Sequence, residues 1–418
     1  MHVFYTLERM KWTPQICDFI AAHLNDDTAK LLFAAHRYPE FDMPFVVEQI
    51  EARKRLRNKL PEWYANPDLI MSGRIPAEQC SSELTARFKR SVMGDDVHSL
   101  CDMTGGMGVD FWYMSRGLEL AIYTERQEAL CTAARHNFSV LQSASSSGEA
   151  GVFRNIPEII VREGFSTEME IPDVDVIYLD PTRRSTDGSR IYEIEDCEPN
   201  VIAWQDILLE HCRRLIVKVS PMADISRTIA RMKHVSDIYV VSVRNECKEL
   251  LIVQQKDIVS VKVHCVDFLP QKTVSFDYDL CTSYSQKYEG PAETGRYFFE
   301  PDVSVMKAQA FEPLMNQYNV FALDKDSHYF MSDELIEDFP GRIFEIDEII
   351  DASSRQLKQL KRVVPQANIA TRNFPLSPEE LKKKTGVRDG GEVYLFGTTH
   401  HEKGNILIRC HKVDPRKI

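Results

Sequence analysis

The chain predicts an α/β protein, with a parallel sheet covered by helices, a helical segment before it and an α+β region after it. Two observations carry this expectation. Apolar runs at Val97–Cys101, Leu120–Tyr123, Val174–Leu179 and Leu215–Val219 alternate with helix-like stretches, the pattern of strands buried on both faces. The first run enters Asp102-Met103-Thr104-Gly105-Gly106-Met107-Gly108-Val109-Asp110, an acid and three glycines leading into a helix.

The elements follow in order. Residues 1–90 read as a helical domain. Thr13-Pro14 caps a first helix with Ile16, Phe19, Ile20 and Leu24 on one face. A second starts at Asp26-Asp27-Thr28 and stops before Tyr38-Pro39. Phe45 to Leu60 forms a third, ended by Pro61. A fourth follows Ser81-Ser82-Glu83, with Leu84 and Phe88 facing inward and Arg87 and Lys89 on an exposed face. Residues 91–270 hold the parallel sheet, closed by the hairpin pair Ile238–Val243 and Leu250–Val253. Residues 271–418 mix strands and helices: Arg342–Ile346, Ser353–Arg362, Asn368–Thr371, Glu392–Phe396 and Asn405–Cys410, the last two flanking the turn at His400 to Gly404.

Composition narrows the function classes. There is no apolar run of 18 residues, so no transmembrane helix is expected. The first residues lack the layout of a signal peptide, and ten cysteines without a C-x-x-C pair suit reduced thiols in the cytoplasm. His400, His401, Cys410 and His411 are read as ordinary strand residues, and no metal is expected. The net charge is −12, yet residues 352–418 carry 14 Lys/Arg against 6 Asp/Glu, leaving −20 on the rest. That regional surplus includes Lys358, Lys361, Arg362, Arg372, Lys382, Lys383, Lys384 and Arg388. It suits contact with a polyanion, although a solvated face is the ordinary meaning of such a run.

The chemistry concentrates at the strand ends. Gly105, Gly106 and Gly108 let backbone approach a ligand without a Cβ in the way. They lack the dinucleotide G-x-G-x-x-G spacing, because Phe111 stands where the third glycine would be. Asp102 ends one strand, and Glu125 ends the next, about 20 residues on, where an acid can take ribose hydroxyls. Tyr178-Leu179-Asp180-Pro181-Thr182-Arg183-Arg184 ends a third strand. There Asp180 can accept from an amine, and Arg183 can stack through its guanidinium plane or hold a phosphate. Lys218, near the end of the last of these strands, can face the site, although an ordinary strand-end lysine is the commoner meaning.

The D-x-x-G-G-x-G string, Glu125 and Asp180-Pro181 resemble motifs of class I S-adenosylmethionine (SAM) dependent methyltransferases. More narrowly, the chain resembles a bacterial group with a C-terminal THUMP-like domain. The strings carrying this are Ser81 to Lys89, Tyr178 to Arg184, Val217-Lys218-Val219-Ser220-Pro221-Met222, Glu300-Pro301-Asp302 and Arg372 to Pro378. The resemblance implies a Rossmann-like class I sheet and a ferredoxin-like/THUMP-like region over 271–418. SAM would be held by Asp102, Thr104, Gly105, Gly106, Gly108, Glu125 and Asn155. Asp180, Pro181 and Arg183 would serve catalysis, and the motif's usual aromatic is replaced by Arg183. RNA is the implied partner, with an exocyclic amine of a tRNA or rRNA base as target. A protein or small-molecule substrate stays open, as does a non-enzymatic RNA-binding module.

Overall fold

The structure is a computed structural model that describes residues 12–71, 73–146, 157–164, 169–183, 194–285 and 295–413. The chain divides into two compact units: residues 1–236 with 251–259, and residues 237–250 with 260–418.

The first unit opens with six helices: α1 (Pro14–Ala22), α2 (Thr28–Phe33), α3 (Met43–Leu56), α4 (Pro61–Ala65), α5 (Arg74–Gln79) and α6 (Glu83–Met93). Thr13, Asp27, Asp42 and Ser82 cap four of them through their side chains. Pro61 does not end the third helix but opens α4 at its first position, where its missing N–H costs nothing. Ile16, Ile20, Leu31, Met43, Val46 and Ile50 form the core of α1–α3. The turn-containing segment after α4 is pinned on both sides. Gln49 exchanges two hydrogen bonds with the Met71 backbone, and Asn137 exchanges two with Ile70.

The sheet strands of this part are β1 (Ser99–Asp102), β2 (Leu120–Glu125), β3 (Glu158–Glu163), β4 (Val174–Leu179) and, after the short ribbon β5 (Thr182–Arg183) with β6 (Cys197–Glu198), β7 (Cys212–Val219). Helices α7 (Val109–Met114), α8 (Glu128–Ser146), α9 (Val201–Glu210) and α10 (Ile225–Ile229) intervene. Next come β8 (Val235–Val243), β9 (Cys247–Gln254), β10 (Lys262–Phe268) and β11 (Thr273–Asp279). The nine-stranded order is β11-β10-β8-β9-β7-β4-β1-β2-β3, with β1 parallel to both β2 and β4, and β4 parallel to β7. β9 enters between β7 and β8, so the expected hairpin does close the parallel set. β10 and β11 extend the same sheet as an antiparallel pair across residues 269–272.

The second unit holds a seven-stranded sheet, ordered β13-β14-β12-β15-β18-β17-β16. Its strands are β12 (Tyr297–Pro301), β13 (Phe321–Ala322), β14 (Phe330–Ser332), β15 (Gly341–Asp351), β16 (Gln366–Thr371), β17 (Arg388–His400) and β18 (Gly404–Lys412). Helices α11 (Val303–Ala308) and α12 (Phe311–Tyr318) follow β12, and α13 (Ser354–Val363) and α14 (Pro378–Thr385) flank β16. One face buries Phe298, Tyr329, Phe344, Phe396 and Ile408, and the other packs Leu357, Leu360, Leu381 and Leu395 under α13 and α14. Among the described residues no helix is long and apolar enough to cross a membrane, and no group of His, Cys, Asp and Glu is arranged to hold a metal. The His400 and His401 rings stack 4.6 Å apart where the strand gives way to its turn, so strand alternation fails at that point.

Candidate active site

Strand order reverses between β1, which continues to β2 and β3, and β4, which continues to β7. In parallel sheets the crevice at such a reversal lies beyond the carboxyl ends of the strands. Asp102 ends β1 there, and Asp180 directly follows β4. The loop between Asp102 and α7 is shaped by its glycines. A Cβ on Gly105 would sit 2.2 Å from the buried Tyr123 ring. Gly106 and Gly108 have φ of 54° and 85°, a region that L side chains occupy only under strain.

Glu125 fastens this loop. Its Oε2 accepts from the Gly106 amide at 3.0 Å, and its Oε1 accepts from the Gln127 amide at 2.9 Å. Tyr123 donates its hydroxyl to the Gly106 carbonyl. Glu125 thus sits against the loop as expected, with both oxygens engaged by backbone; each retains a lone pair for a ligand hydroxyl.

Thr104 ties the two strand ends together. Its hydroxyl donates to Asp102 Oδ1 at 3.3 Å and accepts from the Asp180 amide at 2.7 Å. The Thr104 amide also donates to Asp102 Oδ1, at 2.9 Å. Burial, reinforced by the charges of Asp110 and Asp180, pushes the Asp102 carboxyl up to about 8. Gly105, Gly106, Gly108, Thr104, Asp102 and Glu125 therefore form one connected cradle. Asp180 is partly exposed beside it, with Pro181 half-buried. Asn155 and the side chain of Arg183 lie outside the described residues.

Two lysines read as peripheral from the sequence stand inside this constellation. Lys89 is fully buried, not on an exposed helix face. Its Nζ lies 3.1 Å from Asp110 Oδ1 and 3.0 Å from Ser81 Oγ. Asp110 also accepts from Ser81 Oγ and from the Tyr178 hydroxyl, both at 2.8 Å. Burial opposes the ionised form of Asp110, but the charges of Lys89 and Lys218 prevail and hold its carboxyl below the usual range. Lys218 is not a solvated strand end: its Nζ lies 2.6 Å from Asp180 Oδ2. Leu84, expected inside α6, is exposed, and the buried residues are Glu83, Thr85, Ala86, Lys89, Val92 and Met93. An amphipathic reading sends charge outward by default, and only the Asp110 partner 21 residues away would have revealed Lys89.

In the second unit, Lys358, Lys361, Arg362, Lys383, Lys384 and Arg388 are exposed on and beside α13 and α14. Lys382 is paired with Asp389. Arg372 departs from the basic face: it bonds Glu300 Oε1 at 3.2 Å and lies 4.3 Å from the Tyr329 ring centroid. Glu300 also accepts from Arg342 Nε at 2.6 Å.

Family models match the end of the chain: a ferredoxin-like domain over residues 297–340 and a THUMP domain-like region over residues 341–412. A comparison with curated proteins finds no match. Among solved structures, a "putative methyltransferase from Porphyromonas gingivalis W83" is 30% identical, covering 99% of this chain and 100% of its own, with a TM-score of 0.84. More distant are TYW2 from M. jannaschii in complex with AdoMet and an O-methyltransferase from Bacillus cereus in complex with SAH. The first is 12% identical over 42% of this chain and 75% of its own, with a TM-score of 0.29. The second is 12% identical over 48% of this chain and 100% of its own, with a TM-score of 0.31.

Proposed function

This chain belongs to the family of the Porphyromonas gingivalis methyltransferase, with a class I sheet and a C-terminal THUMP-like domain, and we propose that it transfers a methyl group from SAM to an exocyclic amine of an RNA base. The observation that carries this reading is the Thr104 bridge, which joins the glycine cradle to the Asp180 carboxylate at the strand-order reversal.

The residues present fit the donor. Backbone at Gly105, Gly106 and Gly108 would pass the methionine portion, Asp102 would hold its ammonium, and Glu125 would hold its ribose hydroxyls. When bound, SAM would supply an electrophilic methyl group to the amine lone pair, with the S–C electron pair leaving on the sulfur of the product and the amine proton passing to solvent water. Asp180 accepts a hydrogen bond from the amine and aims its lone pair, a positioning task that needs no strong base. An RNA base would reach Asp180 from a single-stranded region or by flipping. The exposed cations of α13 and α14 would hold phosphates, and ten cysteines without a C-x-x-C pair support a cytoplasmic setting.

The test is transfer of labelled methyl from SAM to total RNA of cells lacking the gene, followed by mass spectrometry of nucleosides. The proposal expects one methylated nucleoside to gain label, and Asp180→Ala to lose transfer even at saturating SAM. Label in protein or small molecules alone would move the substrate to those classes, which the net −20 outside residues 352–418 favours.

A further inference from the structure

We infer that Lys218 is a specificity residue: its ion pair with Asp180 balances the charge facing the sulfur of the donor, and so sets how far the site distinguishes the sulfonium donor from its demethylated product. The inference rests on the donor reading above and adds a role for a lysine that the transfer step does not use.

Three observations converge. Lys218 Nζ lies 2.6 Å from Asp180 Oδ2, with the lysine side chain 14% exposed and the aspartate 36% exposed. β4 and β7 run parallel with Leu179 opposite Val217, so the next residue of each strand, Asp180 and Lys218, emerge side by side at the same edge. The Asp180 backbone is held by the Thr104 hydroxyl, which reaches Asp102, so the pair stands one hydrogen bond from the glycine cradle.

Donor and product have nearly the same shape. They differ by one methyl group and by the positive charge on sulfur, so an electrostatic device is the direct means of telling them apart. A lone carboxylate at this edge would attract the sulfonium strongly, and a lone ammonium would repel it. The pair is close to neutral. The charges of Asp110 and Lys89 nearby are common to wild type and to variants at 218 and 180, so a change of the ratio between these chains reads the Lys218–Asp180 pair.

Calorimetric titration of the full chain with SAM and with S-adenosylhomocysteine tests this. A unit charge a few ångströms away, at an effective dielectric constant of about 20, changes an equilibrium by about tenfold or more. Lys218→Met is expected to raise the SAM-over-product affinity ratio about tenfold, and Asp180→Asn to lower it about tenfold. Lys218→Arg keeps the charge and is expected to keep the wild-type ratio. Thermal melts identify variants that are merely loosened, and loosening would weaken both ligands alike. A ratio within about twofold of wild type in both Lys218→Met and Asp180→Asn, with both ligands bound, overturns the inference. If neither ligand binds the wild-type chain, the donor reading itself fails and the inference with it.

Discussion

Asp102 makes the strongest single-residue prediction. Its carboxyl titrates near 8 in the folded chain against an ordinary 3.8, so between about pH 4 and 8 the folded state holds a proton that the unfolded chain has released. Folding stability from this group therefore falls as pH rises through that window and levels off above it. Asp102→Asn removes the dependence. Its melting temperature should gain on wild type from pH 5 to pH 8, as differential scanning calorimetry would show; a constant offset would contradict the assignment. SAM binding should run the other way, strengthening toward pH 8 as Asp102 ionises. It should then weaken as the ligand α-amino group, with an ordinary pKa of about 7.7–8.0, loses its charge. The acidic limb of that profile should be absent in Asp102→Asn.

Lys89 is a second test at this scale. Removing one partner of a buried ion pair strands the other, at a cost of about 3–5 kcal/mol. Lys89→Met takes from Asp110 its nearest cation and leaves it the hydroxyls of Ser81 and Tyr178 and the more distant charge of Lys218, and denaturant unfolding should show a loss in that range. Asp110→Asn in the same chain should recover part of it. Equal stability of wild type and Lys89→Met would show that the pair contributes nothing net.

Among elements, the segment between α4 and α5 is tied to α3 through Gln49 and to α8 through Asn137. Gln49 and Asn137 satisfy four backbone groups of Ile70 and Met71, and Arg53 donates to the carbonyls of Asn66, Pro67 and Leu69. Buried peptide groups left unpaired cost about 1–3 kcal/mol each. Asn137→Ala should therefore destabilise by about 2 kcal/mol or more, and amide exchange at Ile70 should quicken; protection unchanged at Ile70 would refute the clamp. In the second unit, β12 pairs with β15, so the ferredoxin-like and THUMP-like stretches share one sheet, and Glu300 bonds Arg342 and Arg372 across them.

What the sequence reveals at this level depends on how local the signal is. The glycine loop, the capped starts of α1, α2 and α6, and the strand at Val174–Leu179 are written in neighbouring residues, and all appear where expected. Position in the sheet is not local. Nothing near Leu250–Val253 tells that β9 slots between β7 and β8, and nothing near Lys218 tells that parallel register sets it against Asp180. Pro61 shows the ambiguity of a proline, which stops one helix as readily as it starts another.

Across the whole molecule, charge is divided by region: a basic α13–α14 stretch in a chain that is acidic elsewhere. If these cations meet phosphates, RNA binding should weaken steeply with salt, by a slope of about 0.7 per phosphate for single strands. Replacing Lys383 and Lys384 by alanine should lower that slope by about 1.4 in filter-binding titrations, while SAM affinity stays constant. A slope that does not change places the RNA contact elsewhere. The site and this basic face are thus separable by experiment, one answering to the donor and the other to the polyanion.

Titrating the wild-type chain with SAM at pH 8 in a calorimeter asks whether the cradle between Asp102 and Glu125 holds the donor. One saturable site is predicted, abolished by Gly106→Arg, which forces a long side chain onto a backbone with φ of 54°. No heat with SAM, together with saturable heat from a nicotinamide dinucleotide or a nucleoside triphosphate, would contradict it.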